Sequence, residues 1–173
     1  VYNDQTNELY LYYVWAKDSP GYGQAGFQPM EVRLFKIAFD EENNQFYSVN
    51  GTEPQTVITT TYRYALLSPS IVKTGENEWK MWSVCTYDTG WNNQSNKVEY
   101  RVSRDGITWS DPVSLEQSFK QPGYYHWHVD VNMVDTNGDG VDDEYWAIYP
   151  AYPYGGGSNY TELFYAKSTD GLV

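Results

Sequence analysis

Apolar and polar residues alternate along much of the chain with a period of two, and turn formers break the alternation at short intervals. Aromatic or β-branched runs fall at 9–16, 31–39, 70–73, 78–87, 98–103, 129–134, 144–149 and 162–167. Each is bounded by Gly, Asn, Asp, Ser or Pro. Successive side chains of a strand point to opposite faces, so this pattern predicts short strands separated by turns. Runs with helical spacing are nearly absent. The pattern predicts an all-β chain of antiparallel strands.

The strands recur in units. Tyr100-Arg-Val-Ser-Arg-Asp-Gly106 returns as Tyr165-Ala-Lys-Ser-Thr-Asp-Gly171. The first copy continues to Trp109, and the second stops at Val173. In the register that superposes the copies, Glu78 matches Glu144, Ser103 matches Ser168 and Asp130 matches Ser68. The N-terminal 47 residues fit the same scheme without its first strand. Units of roughly 40–65 residues with three or four antiparallel strands each are the mark of β-propeller blades, which bury their faces by stacking on one another. The expectation is a single propeller fragment over residues 1–173, with approximate blades 1–60, 61–120 and 121–173. Three blades do not close a ring of about 4–8, so the remaining blades are expected to lie outside this chain. The repeated Ser-x-Asp-Gly is a turn device: Ser and Asp accept backbone N–H groups, Gly takes the positive φ, and Trp109 packs beneath.

Composition narrows the partners. Aromatic residues make up 18% of the chain, with 18 Tyr and 7 Trp. Such rings suit pleated strands, and they also stack on sugars. The formal net charge of −12 argues against nucleic acid and against anionic membrane surfaces, which need Lys and Arg. No apolar run is long enough to span a bilayer as a helix. The lone cysteine, Cys85, excludes an intrachain disulfide and reads as a small buried hydrophobe.

Ser68-Pro-Ser-Ile-Val72, Lys80-Met-Trp-Ser83 and Ser103-Arg-Asp-Gly-Ile-Thr-Trp109 together resemble the blades of five-bladed propeller glycoside hydrolases, the group that includes arabinanases and xylosidases. The last of these motifs is also similar to the sialidase Asp-box, with one residue fewer between Asp and Trp. The resemblance implies a carbohydrate-active enzyme acting on an extracellular glycan, with acidic residues at inner strand starts sharing the chemistry. Its motifs are structural, so they speak for the fold more than for the activity.

Two segments carry candidate chemistry. Asp135-Thr-Asn137-Gly-Asp139-Gly-Val141-Asp-Asp143 places oxygen side chains at positions 1, 3, 5 and 9 of a loop, with Gly at 6 and a carbonyl at 7. A hard cation such as Ca²⁺ takes six to eight oxygens from such a cage. Position 12 is Trp146 and no helix flanks the loop, which excludes an EF-hand; the loop resembles the calcium hairpins of FG-GAP propeller blades. Asp135, Asn137, Asp139, Val141 (through its carbonyl) and Asp143 are the expected ligands of a structural Ca²⁺, with Asp142 spare. The second segment, Tyr124-Tyr-His126-Trp127-His128-Val-Asp130, holds both histidines of the chain. If 129–134 is an inner strand, this segment rims the central funnel. Asp130 is the candidate catalytic carboxylate, and His126, His128, Trp127, Trp91 and Tyr152 are candidate substrate contacts. Glycoside hydrolysis would need a second carboxylate about 5–9.5 Å from Asp130. Two other readings predict the same fold: a glycan-binding adhesin propeller without the carboxylate pair, and a protein-binding scaffold of FG-GAP type.

Overall fold

A computed structural model of the chain describes residues 1–16, 29–49, 51, 53–61, 64–87, 96–119, 121–156 and 158–172. The strands form three antiparallel sheets that follow one another along the chain. The first holds β1 (Tyr2–Asn3), β2 (Glu8–Trp15), β3 (Glu31–Asp40), β4 (Gln45–Ser48) and β5 (Gln55–Thr59). The second holds β6 (Tyr64–Gly75), β7 (Glu78–Tyr87), β8 (Lys97–Ser103) and β9 (Val113–Ser114). The third holds β10 (Tyr124–His126), β11 (Asp130–Val134), β12 (Glu144–Pro153) and β13 (Glu162–Ser168). The all-β, antiparallel expectation holds. No sheet closes on itself among the described residues, and none of their helices is long and apolar enough to cross a membrane.

The sheets pack face to face with the second in the middle. Tyr10, Leu34 and Trp79 make the seam between the first and second sheets, with Val57, Ile71 and Trp109 against them. Trp82, Val84, Val98 and Tyr100 meet Val131, Tyr145, Ala147 and Tyr149 at the seam between the second and third. Strand β7 feeds both seams, because its alternate residues face opposite ways. Trp79 and Met81 point one way and Trp82 and Val84 the other, and all four are buried. A strand buried on both faces has no polar side to show, which is why this stretch reads as a nearly continuous apolar run.

The Ser-x-Asp-Gly turns behave as the sequence predicts. Ser103 Oγ accepts the N–H groups of Asp105 and Gly106, and Asp105 Oδ1 accepts those of Ile107 and Thr108. Ser168 and Asp170 repeat the arrangement. Gly106 and Gly171 have φ of 71° and 79°. A second job was not legible in the sequence: each turn is pinned to the sheet before it. Tyr12 Oη donates to the Gly106 carbonyl at 2.8 Å, and Trp82 Nε1 donates to the Gly171 carbonyl at 2.9 Å.

One register expectation is corrected. Ser103 pairs with Trp79 and Ser168 with Tyr145, so position n of β7 corresponds to n + 66 of β12. Ser70 pairs with Trp82, and Asp130 pairs with Ile148. Asp130 therefore stands at the place of Ser70, and His128 at that of Ser68. The slip is of two residues, which keeps every side chain on its own face and so leaves no trace in the alternation of polarity. The β6–β7 register itself shifts between Leu67 and Ser70, where a β-bulge adds a residue.

Candidate functional site

In the third sheet, β10 and β11 lie end to end along the same side of β12, because β13 takes the other side of the same residues. Trp127, His128 and Val129 fill the break between them. The Trp127 N–H still donates to the Pro150 carbonyl at 3.0 Å, so the segment stays anchored while its side chains leave strand geometry. The break is the counterpart of the bulge in β6.

The β6 segment meets the β10–β11 segment across the seam through equivalent positions. The hydroxyl of Ser68 is hydrogen-bonded to His128 Nδ1. Ser70 Oγ lies 3.0 Å from Asp130 Oδ1 and accepts the Val131 N–H at 2.8 Å. The spacing of Ser68-Pro-Ser70 thus matches that of His128-Val-Asp130, each serine touching its own counterpart.

His128 and Asp130 form the chemically competent pair. His128 is half-buried, with Trp127 packed edge-on at 5.1 Å between ring centroids. Burial holds its imidazole below the ordinary value, so the ring is neutral near pH 7 and one nitrogen carries a lone pair. Asp130 is exposed, and Asn132 Nδ2 donates to its second oxygen at 3.3 Å. A neutral imidazole beside an accessible carboxylate is equipped for proton transfer and for orienting a polar substrate.

The other candidates are placed differently. His126 is buried between Phe119 and Tyr149, with ring centroids at 6.3 and 5.4 Å. Burial drives its pKa down to about 4, and its Nδ1 has no hydrogen-bond partner among the described residues. Tyr152 is 1% exposed and packs against Tyr125 and Trp127. The neighbouring ring that reaches the surface is Tyr154, 57% exposed and tilted against Tyr125 with centroids 4.2 Å apart. Trp91 lies outside the described residues. Sequence reasoning missed Ser68 and Ser70 as contacts of the site; the signal was their i, i+2 spacing, identical to that of His128 and Asp130.

The acidic loop joins β11 to β12, at the opposite end of β11 from Asp130. Its oxygens are turned onto its own backbone. Asp135 accepts the N–H groups of Gly138 and Gly140, Asn137 Oδ1 that of Asp139, Asp139 that of Val141, and Asp143 that of Thr136. The Gly140 and Gly138 amides hold the Asp135 carboxyl below the usual carboxylate range. Asn137 Nδ2 donates to Asp143 at 3.0 Å. No group of three or more His, Cys, Asp or Glu side chains that could hold a metal ion occurs among the described residues.

No protein-family model matches the chain. Its likeness is to carbohydrate-active enzymes. A curated A type blood N-acetyl-alpha-D-galactosamine deacetylase of Flavonifractor plautii is 31% identical over 163 residues, which covers 78% of this chain and 20% of that protein. A crystal structure of an N-acetylgalactosamine deacetylase from F. plautii, in complex with blood group B trisaccharide, superposes with a TM-score of 0.70 at 28% identity. That superposition takes in 99% of this chain and 49% of the solved one. The chain thus spans about a fifth of the curated relative's length and about half of the solved chain's. The resemblance to carbohydrate-active enzymes is met at that level; both relatives are deacetylases.

Proposed function

We infer that this chain contributes the inner-edge residues of a carbohydrate-active hydrolase, one that removes the N-acetyl group of an amino sugar on an extracellular glycan. The observation that carries this reading is that His128 and Asp130 of the third sheet are each held by a serine of the second, Ser68 and Ser70, in a fold shared with an N-acetylgalactosamine deacetylase. Deacetylation asks for a group that takes a proton from water as its oxygen bonds to the acetyl carbon. The same group then returns a proton to the sugar nitrogen as the C–N bond breaks. A neutral His128 fits both halves. Asp130 is placed to accept a hydrogen bond from the sugar or the attacking water. Trp127 and Tyr154 are the accessible neighbours suited to stack on a pyranose.

The finer parts of the reading come with it. The sheets are the blades of a five-bladed propeller completed by further sheets, and the third sheet's open face supports this. Trp146, Ile148, Leu163 and Tyr165 are exposed there, and Ile148 and Tyr165 occupy the places that Trp82 and Tyr100 hold in a buried seam. Hydrolysis of a glycosidic bond is the second reading, on the strength of the blade motifs. Asp135, Asn137, Asp139, Val141 and Asp143 are assigned to a structural Ca²⁺, supported by their oxygen spacing.

Mass spectrometry of the products separates the readings. Incubation with an oligosaccharide ending in N-acetylgalactosamine is expected to release acetate and leave the sugar chain whole. Release of a free monosaccharide would replace deacetylation with glycoside hydrolysis. An unaltered substrate that is nonetheless bound would leave a glycan-binding protein.

A further inference from the structure

We propose that Ser68 is the positioning residue for His128: a left-handed backbone at the β6 bulge aims its hydroxyl at Nδ1 and leaves Nε2 as the working nitrogen. The proposal rests on His128 being the proton-handling group of the reading above. Three observations carry it. Ser68 has φ of 48° although it is not glycine, a conformation that any Cβ disfavours and that persists where the surrounding structure over-determines it, often at a functional site. It sits at the register shift between Leu67 and Ser70, and a bulge is a device for re-aiming one side chain out of strand alternation. Its hydroxyl meets Nδ1 of a histidine 60 residues away, from the neighbouring sheet.

Glycine would relax this backbone, but it has no hydroxyl to offer. Nε2 makes no hydrogen bond among the described residues. For Nε2 to accept a proton it must carry the lone pair, so Nδ1 holds the hydrogen and donates it to Ser68 Oγ. When Nε2 takes a proton from water, the imidazolium keeps that acceptor, and the ring cannot turn away from the sugar between the two proton transfers. Ser70 does the matching job for Asp130 one register step along. The Ser-Pro-Ser segment of one sheet thus acts as a two-pronged clamp on the His-Val-Asp segment of the next.

The test compares the protein with its Ser68→Gly, Ser68→Ala and Ser68→Thr variants. Nitrogen-15 NMR of His128, assigned through His128→Gln, reads the tautomer without need of a substrate. The expected result is an Nδ1-protonated ring in the natural protein and a mixture of tautomers in Ser68→Gly and Ser68→Ala. Ser68→Gly is expected not to lower Tm, because it relieves the left-handed strain, yet to lower kcat roughly tenfold or more with KM nearly unchanged. Ser68→Thr, which keeps a hydroxyl, is expected to retain the tautomer. An Nε2-protonated ring in the natural protein, or a tautomer indifferent to Ser68→Gly, would overturn the proposal. Loss of kcat only in step with a fall in Tm would overturn it too. If no glycan is deacetylated, the tautomer still decides the role of Ser68, so the two readings fail separately.

Discussion

The second and third sheets share one design and differ in what covers them. Strand β7 is buried on both faces, whereas β12 buries Tyr145, Ala147 and Tyr149 and leaves Trp146 and Ile148 exposed. Yet Ile148 stands where Trp82 stands, by their common register to the Ser-x-Asp-Gly turn. Burial in this molecule is therefore decided by the neighbouring sheet and not by the strand's own pattern. The seams also differ chemically at equivalent places. Glu99 and Arg101 of β8 are both nearly fully buried toward the first sheet, joined to each other at 3.4 Å and to Tyr64 and Ser83. Their counterparts in β13 are Phe164 and Ala166, which pack apolarly on the second sheet. The second sheet thus carries a buried ion pair bonded within its own strands, where the third sheet carries rings, and the seam between the second and third sheets, crossed by two serines, is where the candidate site lies.

Trp82→Ala is the strongest blow to the comparison. It empties the second seam and strips the Gly171 carbonyl of its donor, and is expected to cost about 5 kcal/mol in urea denaturation. Ile148→Ala, at the same register but half exposed, is expected to cost under about 1 kcal/mol. Equal losses would mean that register does not report packing here.

Arg101→Ala leaves Glu99 buried without its cation, at an expected cost of about 4 kcal/mol. The double change Glu99→Phe with Arg101→Ala copies the third sheet's choice. It is expected to cost less than Arg101→Ala alone, because no charge is then left buried. A larger loss for the double variant would show that the second sheet needs its ion pair for more than charge balance.

His126 takes the register place of Leu66, and that difference is readable by pH. Its folded pKa of about 4 lies below the unfolded value of about 6.5. As pH falls below 6.5 the unfolded chain takes the proton first, so stability is full above 6.5 and declines toward pH 4. The expected decline is about 3 kcal/mol. His126→Leu should flatten thermal melts across that window. A slope unchanged in the variant would place the titration elsewhere.

The smallest effect concerns the loop that joins β11 to β12 in the third sheet, compared with the short turn that joins β6 to β7. Millimolar Ca²⁺ is expected to add about 1–2 kcal/mol, reversed by chelation and absent in Asp139→Ala. A melt indifferent to Ca²⁺ would leave the loop held by its amide hydrogen bonds alone.

How much of this could be read from the residues follows from the same physics. The strands and the repeated turns were legible, because period-two alternation and Ser-x-Asp-Gly chemistry are local. The register of β6 against β11 was not, since a slip of two residues keeps every side chain on its own face. That slip matched Asp130 to Ser68 and hid the contact between Ser70 and Asp130. His126 and His128 look alike two residues apart in sequence; the break at Trp127–Val129 sends one into the core and leaves the other half exposed. Tyr152 and Tyr154 are divided too: Tyr152, in β12, is covered and its hydroxyl is met by Asn96, while Tyr154, one residue past the strand, is exposed. Aromatic content spoke for sugars and for packing alike, and only burial tells them apart.

The central claim is that His128 and Asp130 carry the chemistry. The most direct measurement is acetate release from an N-acetylgalactosamine-terminated glycan by the His128→Gln and Asp130→Asn variants, with thermal melts alongside. The account predicts at least about a 100-fold loss of kcat/KM in each while Tm stays close to that of the natural protein. Undiminished acetate release by either folded variant would contradict it.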